Sequence, residues 1–348
     1  MDIRELKKLE NKRKMNKGYM WALFCALLWG IWYIPGTIIW AVPPFPEMYD
    51  VITASHGATS ALLVSAVLIT AINALTVIIA LLVWNGVLGK FGEMKRTLKE
   101  FHPCSKWFFL ASIFGGPIAI LGSFIAIGFI GAGFAAVAAL LYPVIGSVLA
   151  YYWYGEKISK RAALGIFVII AGGLTIFVGG AISEIAAGDI AWIGYVGGLM
   201  AALGWGIEGA IAGKGLDIAE PDVGLTLRFL GENLIWWVIL VPAVALAGYP
   251  IFEYAIAAFN PMSILIMSFA GITFGFCYVT WYKSFPLIGV GRGQGIGNLY
   301  GLCAVIFMYL FLAQVPAWTV LVGGALCVLG SFVMISEETG EMESLRGE

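Results

Sequence analysis

The feature that most limits what this 348-residue chain can become is a succession of apolar runs, closed off from one another by charges or Pro/Gly clusters. A helical run of about 20 residues matches the hydrocarbon thickness of a bilayer. A helix also satisfies its own backbone hydrogen bonds where water is absent. Ten spans are predicted, at 18–42, 61–85, 107–129, 133–154, 162–179, 191–213, 226–248, 262–285, 292–312 and 317–335. Apolar residues make up 61% of the chain and charged residues 12%, a membrane-protein balance. The net charge of −1 gives no reason to expect a nucleic-acid partner. Cys25, Cys104, Cys277, Cys303 and Cys327 show no metal-ligand spacing, so no metal, cofactor or disulfide is expected.

The placement of Lys and Arg orients the spans. Seven precede the first span, Arg346 lies in the tail, and the rest fall in alternate connections or at their edges: Lys90 to Lys106, Lys157 to Arg161, Lys214 with Arg228, and Lys283 with Arg292. The intervening loops, such as PPFPEMYDVITASHG and GGAISEIAAGDIAW, contain none. By the positive-inside rule both termini are cytoplasmic. Residues 1–17 read as a basic cytoplasmic segment and 337–348 as a cytoplasmic tail. The first apolar run lacks a small-x-small cleavage site and reads as a retained span. The lack of targeting signals suits a prokaryotic inner membrane.

Internal repetition comes next. ALLWGI at Ala26–Ile31 returns as ALGWGI at Ala202–Ile207, an offset of 176. Further along the offset becomes 158: Gly131 matches Gly289, Leu141-Tyr142 matches Leu299-Tyr300, Gly165 matches Gly323 and Gly172 matches Gly330. The 18-residue difference predicts a longer loop early in the first half. The chain reads as two five-span repeats, 18–180 and 191–336. Because five is odd, the second repeat enters the membrane from the opposite side. Inverted repeats around a central cavity are the architecture of alternating-access transporters.

The W-G phrase of each half and the stretch PVIGSVLAYYWYGEKISKRAALGIFVIIAGGLTIFVGG resemble the drug/metabolite transporter superfamily, in particular its EamA-type members. The likeness covers nearly the whole chain and departs at Gln314, which stands where the first half has Glu156. It implies an all-α membrane protein of ten transmembrane helices, with spans 1–4 and 6–9 around a central cavity and spans 5 and 10 outside as scaffold. It implies a transporter and leaves the substrate open.

Candidate substrate contacts emerge where the halves differ in polarity. Glu208 falls where the first repeat has Trp32, Arg292 replaces Phe134, Gln294 replaces Ala136 and Asn298 replaces Leu140, while Glu232 adds a second carboxylate. Ionisable groups inside spans are costly and point to function. With the predicted boundaries, Glu208, Glu232 and Asn298 share a layer roughly 8–9 Å below the cytoplasmic edge. Glu208 is the leading candidate, as counter-ion or proton carrier. Arg228, one turn from Glu232, reads as an ion-pair or gating residue, and Arg292 as a gate or as an anchor of span 9. Asn298 and Asn73 read equally well as helix-to-helix hydrogen bonders.

Trp29, Trp32, Tyr33, Tyr142, Trp205 and Tyr300 are candidate cavity walls, with Tyr278 as a further aromatic in span 8. Aromatic faces attract organic cations at about 0.5–2 kcal/mol each, and they also stack on sugars. Trp281 and Tyr282 beside Lys283 read as an interfacial belt, as do Trp153, Trp236 and Trp237. The glycine run GVGRGQGIG lacks the context of a nucleotide loop and predicts close packing or a hinge at the start of span 9.

No H-E-x-x-H, no His within a span and no Ser-His or paired-Asp arrangement is present, which argues against an enzyme. The sequence therefore predicts a secondary transporter in the lipid bilayer. Its substrate is a small molecule, an organic cation or amine with protons as coupling ion, and a neutral sugar or polyol is the alternative. A non-transporting membrane sensor is the distant alternative, and a homodimer is left open.

Overall fold

The structure is a computed structural model that describes residues 3–100, 102–187 and 190–336. The predicted tail therefore lies outside the described residues. Those described form helices joined by turns, with no strand among them. Ten helices have the length and hydropathy to cross a membrane: spans 1 to 10 are Glu5–Ala41, Ala58–Val87, His102–Phe129, Ala132–Tyr154, Lys160–Val178, Trp192–Leu216, Pro221–Leu246, Pro261–Ile288, Val290–Leu312 and Trp318–Ile335. The basic N-terminal segment is continuous with span 1, in one helix from Ile3 to Ile38.

Span 7 differs most from expectation. It begins at Pro221, because the Glu220 side chain accepts the Val223 N–H at 3.1 Å and proline is preorganised for the first helical position. Arg228, expected at the edge of a connection, thus sits inside a membrane helix and is fully buried.

Spans 4 and 9 share local backbone features at positions 158 residues apart. Span 4 comprises helices Ala132–Ala138 and Tyr142–Tyr154, and span 9 comprises Val290–Gly297 and Tyr300–Leu312. Each begins after a positive-φ glycine, Gly131 and Gly289, and ends on a left-handed residue, Gly155 and Ala313. Short helices Phe91–Lys99 and Ile251–Ala257 occupy matching connections. The extra loop length in the first half is the helix Phe45–His56, between spans 1 and 2.

Packing follows the same exchange. Span 1 lies against spans 8 and 9, and span 6 against spans 3 and 4; span 2 meets span 8 as span 7 meets span 3, and spans 2 and 7 meet each other. Spans 5 and 10 pair antiparallel. A Cβ on Gly165 would stand 2.5 Å from the Gly330 carbonyl oxygen, and one on Gly172 would stand 2.6 Å from that of Gly323. Glycine allows this backbone-to-backbone approach, and in lipid such close packing drives helix association. Within its most apolar window span 6 is 72% buried and span 5 only 28%. Span 6 is therefore the most enclosed, and spans 5 and 7, at 28% each, are the least.

The repeated phrases meet at the centre. Trp29 and Trp205 contact edge-to-face with ring centroids 4.6 Å apart. Repeat-mates Tyr142 and Tyr300 lie 6.3 Å apart, and the Asn298 amide donates to the carbonyl of its repeat-mate Leu140 at 3.1 Å. This centre is closed: Trp29, Trp32, Tyr33, Tyr142, Trp205 and Tyr300 are all fully buried and packed on one another, where the sequence suggested an open cavity.

Candidate functional site

The expected carboxylates are held by an arginine. Arg228 Nε donates to Glu208 Oε1 at 2.6 Å, and its Nη1 donates to Glu232 Oε2 one turn along span 7. The Tyr278 hydroxyl donates to Glu208 Oε2 at 2.8 Å, and that of Tyr282 donates to Oε1 at 3.2 Å. Trp236 Nε1 donates to Glu232 Oε1 at 3.2 Å. Every carboxylate oxygen has a donor, and all three charged side chains have zero exposure. Such saturation is what a buried ionic cluster requires, since each unmet charge carries a penalty of several kcal/mol, on the order of 3–5 when a partner is removed.

Span 3 makes room for this triad. Its helix widens to π geometry over Phe114–Ile120, where Gly115, Gly116 and Pro117 follow one another. Proline donates no N–H, and widened turns of this kind recur at functional sites. A Cβ on Gly116 would stand 2.5 Å from the Glu232 carboxyl carbon. The two glycines thus form the floor of the triad.

Tyr278 connects the triad to the aromatic centre. Its hydroxyl accepts from Trp205 Nε1 at 2.8 Å, and its ring lies 4.8 Å from the Arg228 guanidinium carbon. Around Trp29 stand Tyr300, stacked at 4.3 Å, Tyr142 at 5.6 Å, Trp281 at 5.9 Å and Tyr278 at 6.3 Å. Two indole N–H groups in this cluster, Trp29 Nε1 and Trp281 Nε1, are buried with no protein acceptor, and Gln294 Oε1 is buried with no donor.

The remaining candidates fall elsewhere. Trp32 stacks on Phe274 at 4.5 Å and donates to Asn73 at 3.1 Å, joining spans 1 and 2. Tyr33 reaches Ser123 and the Ala135 carbonyl, each at 3.4 Å. Gln294 donates weakly to the carbonyls of Trp205 and Gly206. The Asn298 amide also donates to Ser331 at 2.8 Å, so its donors serve contacts between helices rather than the triad. Arg292 is half-buried and lines a separate small surface pocket with Ser147, Glu156, Lys157 and Met334.

Three aromatics expected at the interface are core residues. Trp281, Tyr282 and Trp236 are fully buried: Trp281 packs beside Trp29, and Tyr282 and Trp236 donate to the triad carboxylates. Sequence reasoning also passed over an ionic cluster at the end of the bundle that carries the Lys and Arg residues. Asp222 accepts from Lys90, from Lys283 and from Trp84 Nε1, the last at 3.1 Å. Lys90 also pairs with Glu220 at 2.6 Å, so spans 2, 7 and 8 are tied at one end. Burial lowers the Lys90 pKa, but its hydrogen bonds to Asp222 and Glu220 outweigh that and leave it raised. The acidic pair Glu220 and Asp222, flanking a proline, was the available signal.

Ten membrane-length helices meeting in a sealed centre of aromatics, with the Arg228–carboxylate triad beside it, define a multi-pass membrane protein. Residues 51–178 match the family model of the EamA-like transporter family. Over these residues the chain is similar to that family, which lies within the drug/metabolite transporter superfamily. It is 25% identical to Protein LicB of Haemophilus influenzae over 208 residues, a match spanning 59% of this chain and 66% of LicB. A solved crystal structure with 15% sequence identity superposes with a TM-score of 0.56, over 95% of this chain and 99% of the other, and supports the fold alone.

Proposed function

We propose that the protein is a proton-coupled secondary transporter of a small organic cation or amine, working by alternating access in a prokaryotic inner membrane with both termini cytoplasmic. One observation carries the reading: Tyr278 belongs at once to the aromatic cluster around Trp29 and to the shell of donors on Glu208. Aromatic faces and a carboxylate are the two kinds of group that attract an organic cation out of water. A carboxylate that holds either a proton or a cation gives exchange with no further machinery. The antiparallel pairing of spans 5 and 10 and the exchanged packing of spans 1 and 6 support inverted halves rocking about a central site.

The test is thermal stabilisation of the purified protein at about pH 5.5 and about pH 8, where linkage predicts different proton occupancy. The panel is quaternary ammonium ions, amines and polyamines beside sugars, polyols and amino acids, repeated on Glu208→Gln. Cations that stabilise the wild type mainly at the higher pH, and not the variant, support the reading. Stabilisation by sugars alone, insensitive to pH, removes it. That outcome favours the second reading, a neutral polyol or sugar, for which Trp29 Nε1, Trp281 Nε1 and Gln294 Oε1 offer unmatched hydrogen-bonding groups.

A further inference from the structure

The charge of the triad limits the charge of the cargo. Two carboxylates, Glu208 and Glu232, share one guanidinium, Arg228, and the sum is one negative charge. The groups packed against them are uncharged: Tyr278 and Tyr282 from span 8, Trp236 from span 7, and Gly115 and Gly116 from span 3. Trp205 of span 6 bonds Tyr278, and the Cys277 thiol beside it is engaged by Cys25 of span 1 at 3.6 Å. Among the described residues no further cation pairs with either carboxylate. A net charge sealed from water is costly, so the occluded site requires one compensating positive charge.

We propose that Arg228 sets the valence of the transported cation at one, so that the triad takes one monovalent cation or one proton at a time. This rests on the cation reading above and goes beyond it by fixing valence and stoichiometry. At one membrane face a carboxyl group of the triad releases its proton to water as the cation enters the aromatic cluster. At the other face the cation leaves and a proton returns to the carboxylate. The site is neutral in both occluded states, one cation crosses for one proton moving the opposite way, and the cycle carries no net charge.

The experiment uses the full-length protein in liposomes, with tetramethylammonium as the monovalent probe and an ethylene-bridged bis-trimethylammonium ion as the divalent one. The wild type is expected to move tetramethylammonium down an imposed pH gradient, with one proton per cation and no response to a clamped potential, and to exclude the divalent ion. Arg228→Gln leaves two carboxylates unopposed, and its binding preference should shift at least about tenfold toward the divalent ion. Adding Glu232→Gln restores a single net charge and should reverse that shift; this double variant, with its buried charge reduced, keeps the valence test alive where Arg228→Gln alone does not fold. Flux that follows the potential, a proton count other than one, or an unchanged valence preference overturns the proposal and leaves the cation reading standing. If no cation of the panel binds or moves, both fall together.

Discussion

Gly115 on span 3 lies directly beneath Arg228 on span 7. A methyl group at Gly115 would stand 1.9 Å from Nη2 of that guanidinium and 2.4 Å from the Glu208 carboxyl carbon. The guanidinium tip cannot retreat freely, because Nε and Nη1 are committed to two carboxylates and Nη2 lies 3.4 Å from the Tyr278 hydroxyl. A missing side chain on one helix is therefore a precondition for the ionic bridge between two others.

Gly115→Ala is expected to lower stability by about 1–3 kcal/mol, the usual range for overpacking, and to remove any ligand-induced stabilisation. Gly92→Ala is the control, because a Cβ there meets nothing within 4 Å. Thermal melts of both variants, with and without a stabilising ligand, check this. A Gly115→Ala protein that responds to ligand like the wild type would show that the triad tolerates displacement.

The triad should behave as a unit. Arg228→Met leaves two buried carboxylates without their cation and is expected to cost about 3–5 kcal/mol. The triple change Arg228→Met, Glu208→Gln, Glu232→Gln removes the charges together and should recover most of that loss in a denaturation measurement. Strict additivity of the three single effects would mean that the three side chains do not share one network.

How much of this site was legible in the sequence depends on which physical signal each residue carried. Glu208 stood out because its repeat-mate is Trp32, and Trp29 with Trp205 because the phrase around them recurs. The span count came from hydropathy, which the bilayer makes nearly one-dimensional. Neighbours in sequence are not always neighbours in depth. A following Lys283 makes Trp281 and Tyr282 read as interfacial, yet that lysine is drawn to Asp222 on another helix. Arg228 reads as a membrane-edge residue by hydropathy, and only the Glu220 cap with Pro221 signals that the helix starts earlier. The donors from Tyr278 and Trp236 depend on which helices pack together, and periodicity alone does not encode that.

The ionic cluster tying spans 2, 7 and 8 gives a pH prediction. Lys90 has a raised pKa in the folded protein, set against an ordinary value of about 10.4. A raised value means that folding favours the protonated form. The contribution is full below the unfolded value and fades as pH climbs through the higher folded one. The melting temperature of the wild type should therefore fall more steeply than that of Lys90→Met above about pH 10.5. The two proteins should run parallel at neutral pH, and parallel curves throughout would show that the cluster adds nothing to stability.

Glu156 is bound by backbone groups of the other half: the N–H of Val290 at 3.0 Å and that of Gly291 at 3.2 Å, both at the start of span 9. The carboxylate caps the first turn of that helix and meets the positive end of its dipole. Glu156→Ala is expected to cost about 0.5–2 kcal/mol, and Glu156→Gln less because one acceptor remains. Comparative melts of the two variants read this directly; equal losses would point to charge rather than capping.

The final prediction uses the repeat as its own control. The helix Tyr142–Tyr154 ends on Gly155 at φ 65°, and its counterpart Tyr300–Leu312 ends on Ala313 at φ 52°. In each case the capping N–H returns to the last turn, from Gly155 to Tyr151 and from Ala313 to Tyr309, at 3.1 Å. The backbone task is the same, but only glycine performs it without a steric clash between Cβ and the carbonyl oxygen, which costs roughly 1–2 kcal/mol. Ala313→Gly should therefore stabilise the protein by about 0.5–1 kcal/mol, part of the relief being offset by the greater freedom of glycine in the unfolded chain. Gly155→Ala should destabilise by a similar amount. Opposite signs from two methyl-sized changes at repeat-related positions would tie both effects to the left-handed turn itself. Equal signs would show that local packing governs these helix ends, and the repeat would then be a matter of chain path and not of energetics.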